Sequence, residues 1–273
     1  MLDVQRQGRV ATLTIDHPPI NLLDLELMLA FDAAGREVAA DPDITVVVVR
    51  SAVPGWFVAH ADVELILGLT PETAGPPADG LGFFHAMVDR VRTMPKLTVA
   101  VIAGIARGGG CELASSFDVR FASLDAVLGQ PEVALGILPG GSGTQRLPWL
   151  VGRARALEVA IGCDDVDGAT AERWGLVNRA LPPDELDAFV ERFVDRVASF
   201  PPEAVAEAKA AILAAMPDPT AGLRSEAEGF ARLVGTDAAR HRMQAFLAAG
   251  GQTAEVEGDR AALQTLLEQL DAP

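Results

Sequence analysis

The stretch Gly108-Gly109-Gly110-Cys111-Glu112-Leu113-Ala114 follows an apolar run, Leu97 to Ile102, and Gly129-Gln130-Pro131-Glu132 comes after it, placing the two glutamates twenty residues apart. A strand that runs into three glycines and then a helix exposes N–H groups at a helix N-terminus, where the macrodipole favours negative charge. Two carboxylates flanking an apolar segment add groups that can give and take protons. Oxyanion stabilisation combined with proton transfer points to an enzyme. The glycines do not form a dinucleotide fingerprint, because none falls at the third required position and no acidic ribose ligand follows a second strand.

Outward from that stretch, the pattern is one of strands returning through helices. Val10 to Ile15 alternates with period two and ends at Asp16 and the Pro18-Pro19 breaker; Leu25 to Ala40 is helical in pattern, and Ile44 to Val49 is the next strand. Gly55 to Leu69 reads as a loop with a short helix. Thr70 to Gly80, rich in Pro, Gly and Ala, is expected to be a mobile surface loop. Leu81 to Met94 is helical, and Leu97 to Ile102 is a buried strand. Glu112 to Ser116 begins a helix, Asp118 to Ala122 and Ala126 to Leu128 are short strands, and Thr144 to Val151 is helical after a Gly/Pro-rich loop. These alternations imply an α/β layer structure with mainly parallel pairing. After about Phe200 the character changes to alanine-rich amphipathic helices, Glu203 to Met216, Leu223 to Val234, Asp237 to Ala249 and Asp259 to Leu270. The expected division is an α/β core over residues 1–200 and a helical module over 201–273, which packs on its own body or on another copy.

Composition sets the outer limits. The chain has 273 residues, 49% hydrophobic and 22% charged, enough to bury a sizeable core. A net charge of −16 argues against nucleic acid or an anionic membrane as partner. Lys96 and Lys209 are the only lysines. Cys111 and Cys163 form no disulfide framework, the N-terminus lacks the basic and apolar regions of a signal peptide, and no stretch reaches the roughly 20 apolar residues of a membrane span. A soluble cytoplasmic protein without a metal site is expected.

The glycine run and the two glutamates belong to a longer set: Phe117-Asp118, Leu138-Pro139-Gly140-Gly141 and Gly143-Thr144-Gln145-Arg146-Leu147. In order, spacing and residue type together, this set closely resembles the crotonase, or enoyl-CoA hydratase/isomerase, superfamily. Pro18-Pro19-Ile20-Asn21-Leu22-Leu23-Asp24 resembles the family's early substrate-pocket segment, and Phe57-Val58-Ala59-His60-Ala61-Asp62 its Phe-x-Ala-Gly-Ala-Asp loop. The resemblance covers about residues 8 to 195 and extends more weakly to near 246. It implies a crotonase-like spiral of ββα turns followed by a helical oligomerisation module, with trimers that can pair into hexamers. It also implies an acyl-CoA or related acyl thioester as substrate, with coenzyme A as the acyl carrier and no further cofactor.

Residue by residue, the resemblance maps the catalytic glutamates to Glu112 and Glu132 and the two oxyanion-binding N–H groups to Ala61 and Gly109. It places Ala59, His60, Asp62, Gly108, Pro131, Gly140 and Gly141 around the substrate. Hydration of a 2-enoyl thioester needs a base for the water attacking C3 and a proton source for C2, and the two carboxylates can divide those tasks, Glu112 as base and Glu132 as acid. Gln130, Arg146 and Cys111 read as structural. His60 stands where the family usually has glycine, and it either faces the pocket or is a solvated loop residue. Glu64 stands where many members carry a lysine that contacts CoA phosphates, and a carboxylate there repels them; the basic residues after Phe246 are replaced by Leu247-Ala248-Ala249, leaving Arg240 and Arg242 as candidates. A double-bond isomerase needs only one of the glutamates. Thioester hydrolysis, dehalogenation and C–C cleavage can use the same oxyanion hole, and a catalytically quiet oligomeric scaffold is the reading from another class.

Overall fold

The computed structural model describes residues 1–270; the final three residues of the expected helical module lie outside the described residues. The chain opens with β1 (Leu2–Gln7), β2 (Val10–Ile15), α1 (Leu25–Ala40), β3 (Val46–Ser51) and β4 (Trp56–Val58). Next come α2 (Val63–Leu67), α3 (Pro71–Ala74), α4 (Phe83–Thr93), β5 (Leu97–Ile102), β6 (Ile105–Arg107), α5 (Gly109–Ser115), β7 (Val119–Ser123) and β8 (Val127–Gly129). A single 3-10 turn, Glu132–Leu135, precedes α6 (Gly143–Val151), α7 (Arg153–Gly162), β9 (Val166–Asp167), α8 (Gly168–Trp174), β10 (Arg179–Leu181) and α9 (Pro183–Ala198). The remainder is helical: α10 (Pro202–Ala214), α11 (Thr220–Val234), α12 (Asp237–Ala248), α13 (Ala254–Gly258) and α14 (Arg260–Glu268).

The strands form a six-stranded sheet in the order β1-β2-β3-β5-β7-β10 and a four-stranded sheet in the order β4-β6-β8-β9. All neighbours are parallel except β1 with β2 and β8 with β9. Each of the pairs β3/β4, β5/β6 and β7/β8 therefore gives its first strand to the large sheet and its second to the small one before the chain turns away. This is the ββα spiral. The two short strands expected on either side of Ser123-Leu124-Asp125 are β7 and β8, and they lie in different sheets.

The layering follows from the pattern of side chains. In β2, Ala11, Leu13 and Ile15 are buried while the intervening residues are partly exposed, so one face packs on the main core. β3 is buried on both faces: Val47 and Val49 join that core, and Val46 and Val48 pack with Val99, Val101, Phe121 and the apolar stripe Leu186, Val190 and Val194 of α9. The expected mobile loop over Thr70 to Gly80 contains α3, where Thr70 and Thr73 form a reciprocal capping box and the turn packs against α11. Both lysines are structural: Lys209 Nζ pairs with Asp118 at 2.7 Å and donates to the Lys96 carbonyl, while Lys96 Nζ donates to the Asp41 carbonyl at 2.6 Å.

Candidate active site

The small sheet delivers the site. β4, β6 and β8 are parallel neighbours, so the segments leaving their C-terminal ends lie side by side: His60 and Ala61 after β4, Gly108 to Glu112 after β6, and Gln130 to Glu132 after β8. The glycines let them touch. Gly108 has φ +46°, and a Cβ on it would stand 2.6 Å from Glu132 Oε1; a Cβ on Gly110 would stand 2.0 Å from the Val58 carbonyl oxygen. The helix α5 consequently begins at Gly109, three residues earlier than its side-chain pattern indicates.

The Gly109 and Ala61 backbones are in close approach, with the Gly109 Cβ position 3.1 Å from Ala61 N. Among the described residues neither Ala61 N–H nor Gly109 N–H has an acceptor. Leu23 brackets the first of them, accepting from Asp62 N–H and donating to the His60 carbonyl, which fixes the direction of the Ala61 N–H.

Glu112 and Glu132 are 3% and 8% exposed, and both line one cavity of about 350 Å³. Its wall is mostly apolar, with Met28, Phe84, Leu138, Phe230, Phe246 and Leu263 drawn from α1, α4, the loop before α6, and α11, α12 and α14. Glu112 Oε1 accepts N–H groups from Gly141 and Gly143, each at 2.7 Å. Gln130, with its amide turned to donate, reaches both oxygens of Glu132 at 2.9 and 3.1 Å. Burial pushes the Glu112 carboxyl well above the usual range, the neighbouring Glu132 and Glu226 add to the rise, and the two N–H donors oppose it. Burial likewise raises Glu132 to about 8, partly offset by its own backbone N–H and by His60. Two carboxyls this close in an apolar pocket share their titration, and the pair keeps a proton at neutral pH.

His60 faces the cavity. Its Nδ1 lies 2.8 Å from the Ala61 carbonyl oxygen and its Nε2 2.8 Å from Glu257 Oε1. Both partners are acceptors, an arrangement that the imidazolium form, with a donor on each ring nitrogen, satisfies in full. Burial works against that charge, but Glu257, the Ala61 carbonyl and Glu132 outweigh it and hold the imidazole above its usual value. Glu257 stays below the usual carboxylate value despite its burial because His60, Gln252 N–H and Arg107 favour its anion. Arg107, itself buried, makes a bidentate pair with Asp165 at 2.8 Å and donates Nη1–H to the Glu257 carbonyl, fastening α13 to the end of β6.

Of the residues read from the sequence, His60, Ala61, Gly109, Glu112, Pro131, Glu132, Gly140 and Gly141 line this cavity together. Three lie outside its lining. Ala59 is a core residue whose N–H donates to the Ile20 carbonyl and whose carbonyl accepts from Arg107 N–H; Asp62 caps α2 by accepting from Glu64 N–H; Gly108 carries the turn beneath Glu132. Cys111 is buried, and its thiol is pushed up to about 12 by burial and by the two glutamates, which removes it as a nucleophile at neutral pH. Glu64 is exposed on α2 and outside the cavity lining. Arg240 and Arg242 reach the carbonyls of Leu69 and Ala134 beside the cavity wall, at 3.4 and 3.0 Å. Nothing in the sequence alone singles out His85, Glu226 or Glu257.

The profile of the enoyl-CoA hydratase/isomerase family matches residues 5–252, nearly the whole chain. The chain belongs to that family. It is therefore an enzyme of the enoyl-CoA hydratase/isomerase type. A "Probable enoyl-CoA hydratase" of Rhizobium meliloti is 37% identical over 247 residues, 90% of this chain and 94% of that protein. The short-chain-enoyl-CoA hydratase of Clostridium acetobutylicum is 34% identical over 89% of this chain and 93% of its own length. A solved Streptomyces avermitilis structure, assigned by name to the enoyl-CoA hydratases, superposes with TM-score 0.90 at 36% identity and covers 98% of this chain and 97% of that one.

Proposed function

We propose that the protein reversibly adds water to a 2-enoyl thioester carried on coenzyme A, without a further cofactor. The observation that carries this reading is that two buried glutamates share one mostly apolar cavity with the adjacent Ala61 and Gly109, whose N–H groups have no acceptor among the described residues. The thioester oxygen accepts from those two N–H groups. As water adds to C3, charge gathers on that oxygen, and each fixed donor stabilises it by about 3 kcal/mol, by analogy with oxyanion-hole deletions.

Glu112 is assigned the base, because the two N–H donors on one of its oxygens favour its anion against the burial that raises it: it takes a proton from water as the oxygen bonds to C3. Glu132 delivers its proton to C2, and the enolate collapses to the 3-hydroxyacyl thioester. Dehydration runs the same transfers backwards. An isomerase would need one carboxyl as shuttle; two facing the same cavity favour hydration. The mostly apolar wall suits a hydrocarbon acyl chain, and Arg240 and Arg242 are the cations beside it that suit the CoA phosphates.

The chain is also inferred to assemble as a homotrimer or a dimer of trimers through its helical module. A second groove, about 810 Å³ and lined by α10, the end of α9 and α6, contains neither glutamate and supports that reading as a surface for another copy.

Crotonyl-CoA hydration by the wild type, Glu112→Gln and Glu132→Gln tests the mechanism. Each substitution is expected to cost on the order of 10²–10⁴-fold in kcat. Activity surviving in either variant sinks the two-carboxyl scheme, and a wild type that neither hydrates crotonyl-CoA nor binds CoA in calorimetry points to the scaffold.

A further inference from the structure

The loop that carries the Gly141 and Gly143 N–H groups is held from two sides. Its odd-numbered amides donate to Glu112, and its even-numbered amides donate to Glu226: Ser142 N–H to Oε1 at 2.6 Å and Thr144 N–H to Oε2 at 3.0 Å. The Thr144 hydroxyl also donates to Glu226 Oε2. His85, on α4 and lining the catalytic cavity, completes the set by donating Nε2–H to Glu226 Oε1 at 2.8 Å. Glu226 is 4% exposed and His85 5% exposed. Ser142, between the two carboxylates, is held at φ +97°, a conformation that a non-glycine residue adopts only when its surroundings fix it.

We propose that Glu226, oriented by His85, is a positioning residue for Glu112: it clamps the Gly140–Thr144 loop from the opposite side and thereby fixes the N–H groups that aim the catalytic base. This rests on the hydratase reading for its kinetic consequence, though not for the clamp itself. A carboxylate accepting four hydrogen bonds in a buried site cannot be replaced by a neutral group without loosening what it holds. Its charge has a second effect. Facing Glu226 are His85 from α4, Arg146 from α6, Glu112 from α5 and Glu132 from the 3-10 turn, and the Glu226 anion pushes both catalytic carboxyls upward. The helical module thus contributes to the acid and base of the core.

The test compares Glu226→Gln, Glu226→Asp and His85→Phe with the wild type. Glu226→Gln removes the anion, so the alkaline limb of the kcat/KM profile with crotonyl-CoA moves to lower pH, and kcat falls on the order of 100-fold as Glu112 loses its alignment. Glu226→Asp keeps the charge and shortens the reach: kcat falls and the limb stays. His85→Phe lowers kcat and leaves KM near the wild-type value. A role confined to folding would lower the active fraction without moving the limb. Amide hydrogen exchange of Gly140–Thr144 in the unliganded protein reads the clamp independently of turnover, and faster exchange in all three variants is expected. A wild type inert towards crotonyl-CoA with that faster exchange refutes the hydratase reading alone. Unchanged exchange, or in an active protein a kcat and pH profile within about twofold of wild type for Glu226→Gln, overturns the proposal.

Discussion

Glu132 reaches its cavity at a cost that can be measured away from catalysis. An unfolded chain releases the proton of this carboxyl near 4.5, whereas in the folded protein burial holds it to about 8. Between those values the folded state binds more protons than the unfolded state, so stability falls as pH rises, by up to about 1.4 kcal/mol per pH unit for a single group. Glu132→Gln removes the titration. The variant is expected to lose hydration activity yet melt higher than the wild type, with the gap in Tm widening from pH 5 to pH 8. A gap that stays constant across that range would show that Glu132 titrates as an ordinary exposed carboxyl. Glu112 has the same sign of shift, so the double variant should widen the gap further.

At the scale of elements, α13 is a short helix whose hold on the core depends on two side chains rather than on an apolar stripe. His60 and Arg107 take its Glu257 carboxylate and carbonyl, and Glu257 also accepts from Gln252 N–H at 2.6 Å. Breaking a buried pair by removing one charge costs about 3–5 kcal/mol, and that loss is expected for Glu257→Gln. The sign of the two shifts sets the pH window. The imidazole, raised in the fold, stabilises fully below its unfolded value of 6.5, and the carboxylate, lowered in the fold, stabilises fully above 4.5. Destabilisation by Glu257→Gln should therefore be greatest between those two values and smaller on either side, with faster amide exchange over residues 252–258. Equal destabilisation at pH 5.5 and pH 9 would mean that the pair carries no charge. The same elements explain what the sequence discloses. β2 and α1 are legible because burial alternates with their own period, β5 because it is a continuous apolar run, and the site glutamates because they stand in a glycine-rich motif of fixed order and spacing. β4, β6, β9 and β10, of two or three residues each, are too short to show any period. Glu226 and Glu257 look like solvated charges until His85 and His60 are found against them, 141 and 197 residues away in the chain. Glu226 nevertheless falls beside Leu223 and Ala227 on the buried stripe of α11, where an unpaired carboxylate would not persist.

On the scale of the whole molecule, the charge of −16 opposes self-association, and any stable contact between copies has to come from apolar surface. One such surface runs along α10 and the segment that follows α9, where Ile212 is 68% exposed and Phe200 and Met216 are 45% and 41% exposed, all three lining the 810 Å³ groove. On α10 Lys209 alone is buried, so most of this helix is unpartnered within a single chain. A face of this kind is expected to pack against another copy. Light scattering should give a mass of about three chains of 28.6 kDa, or twice that number, and the assembly should tighten with added salt as like charges are screened. Ile212→Glu places a carboxylate in the middle of the face and should release single chains without unfolding them, because that side chain contributes little to the core of its own chain. A wild type that runs as a single chain, or an Ile212→Glu variant that retains the full mass, would exclude the α10 face as the contact.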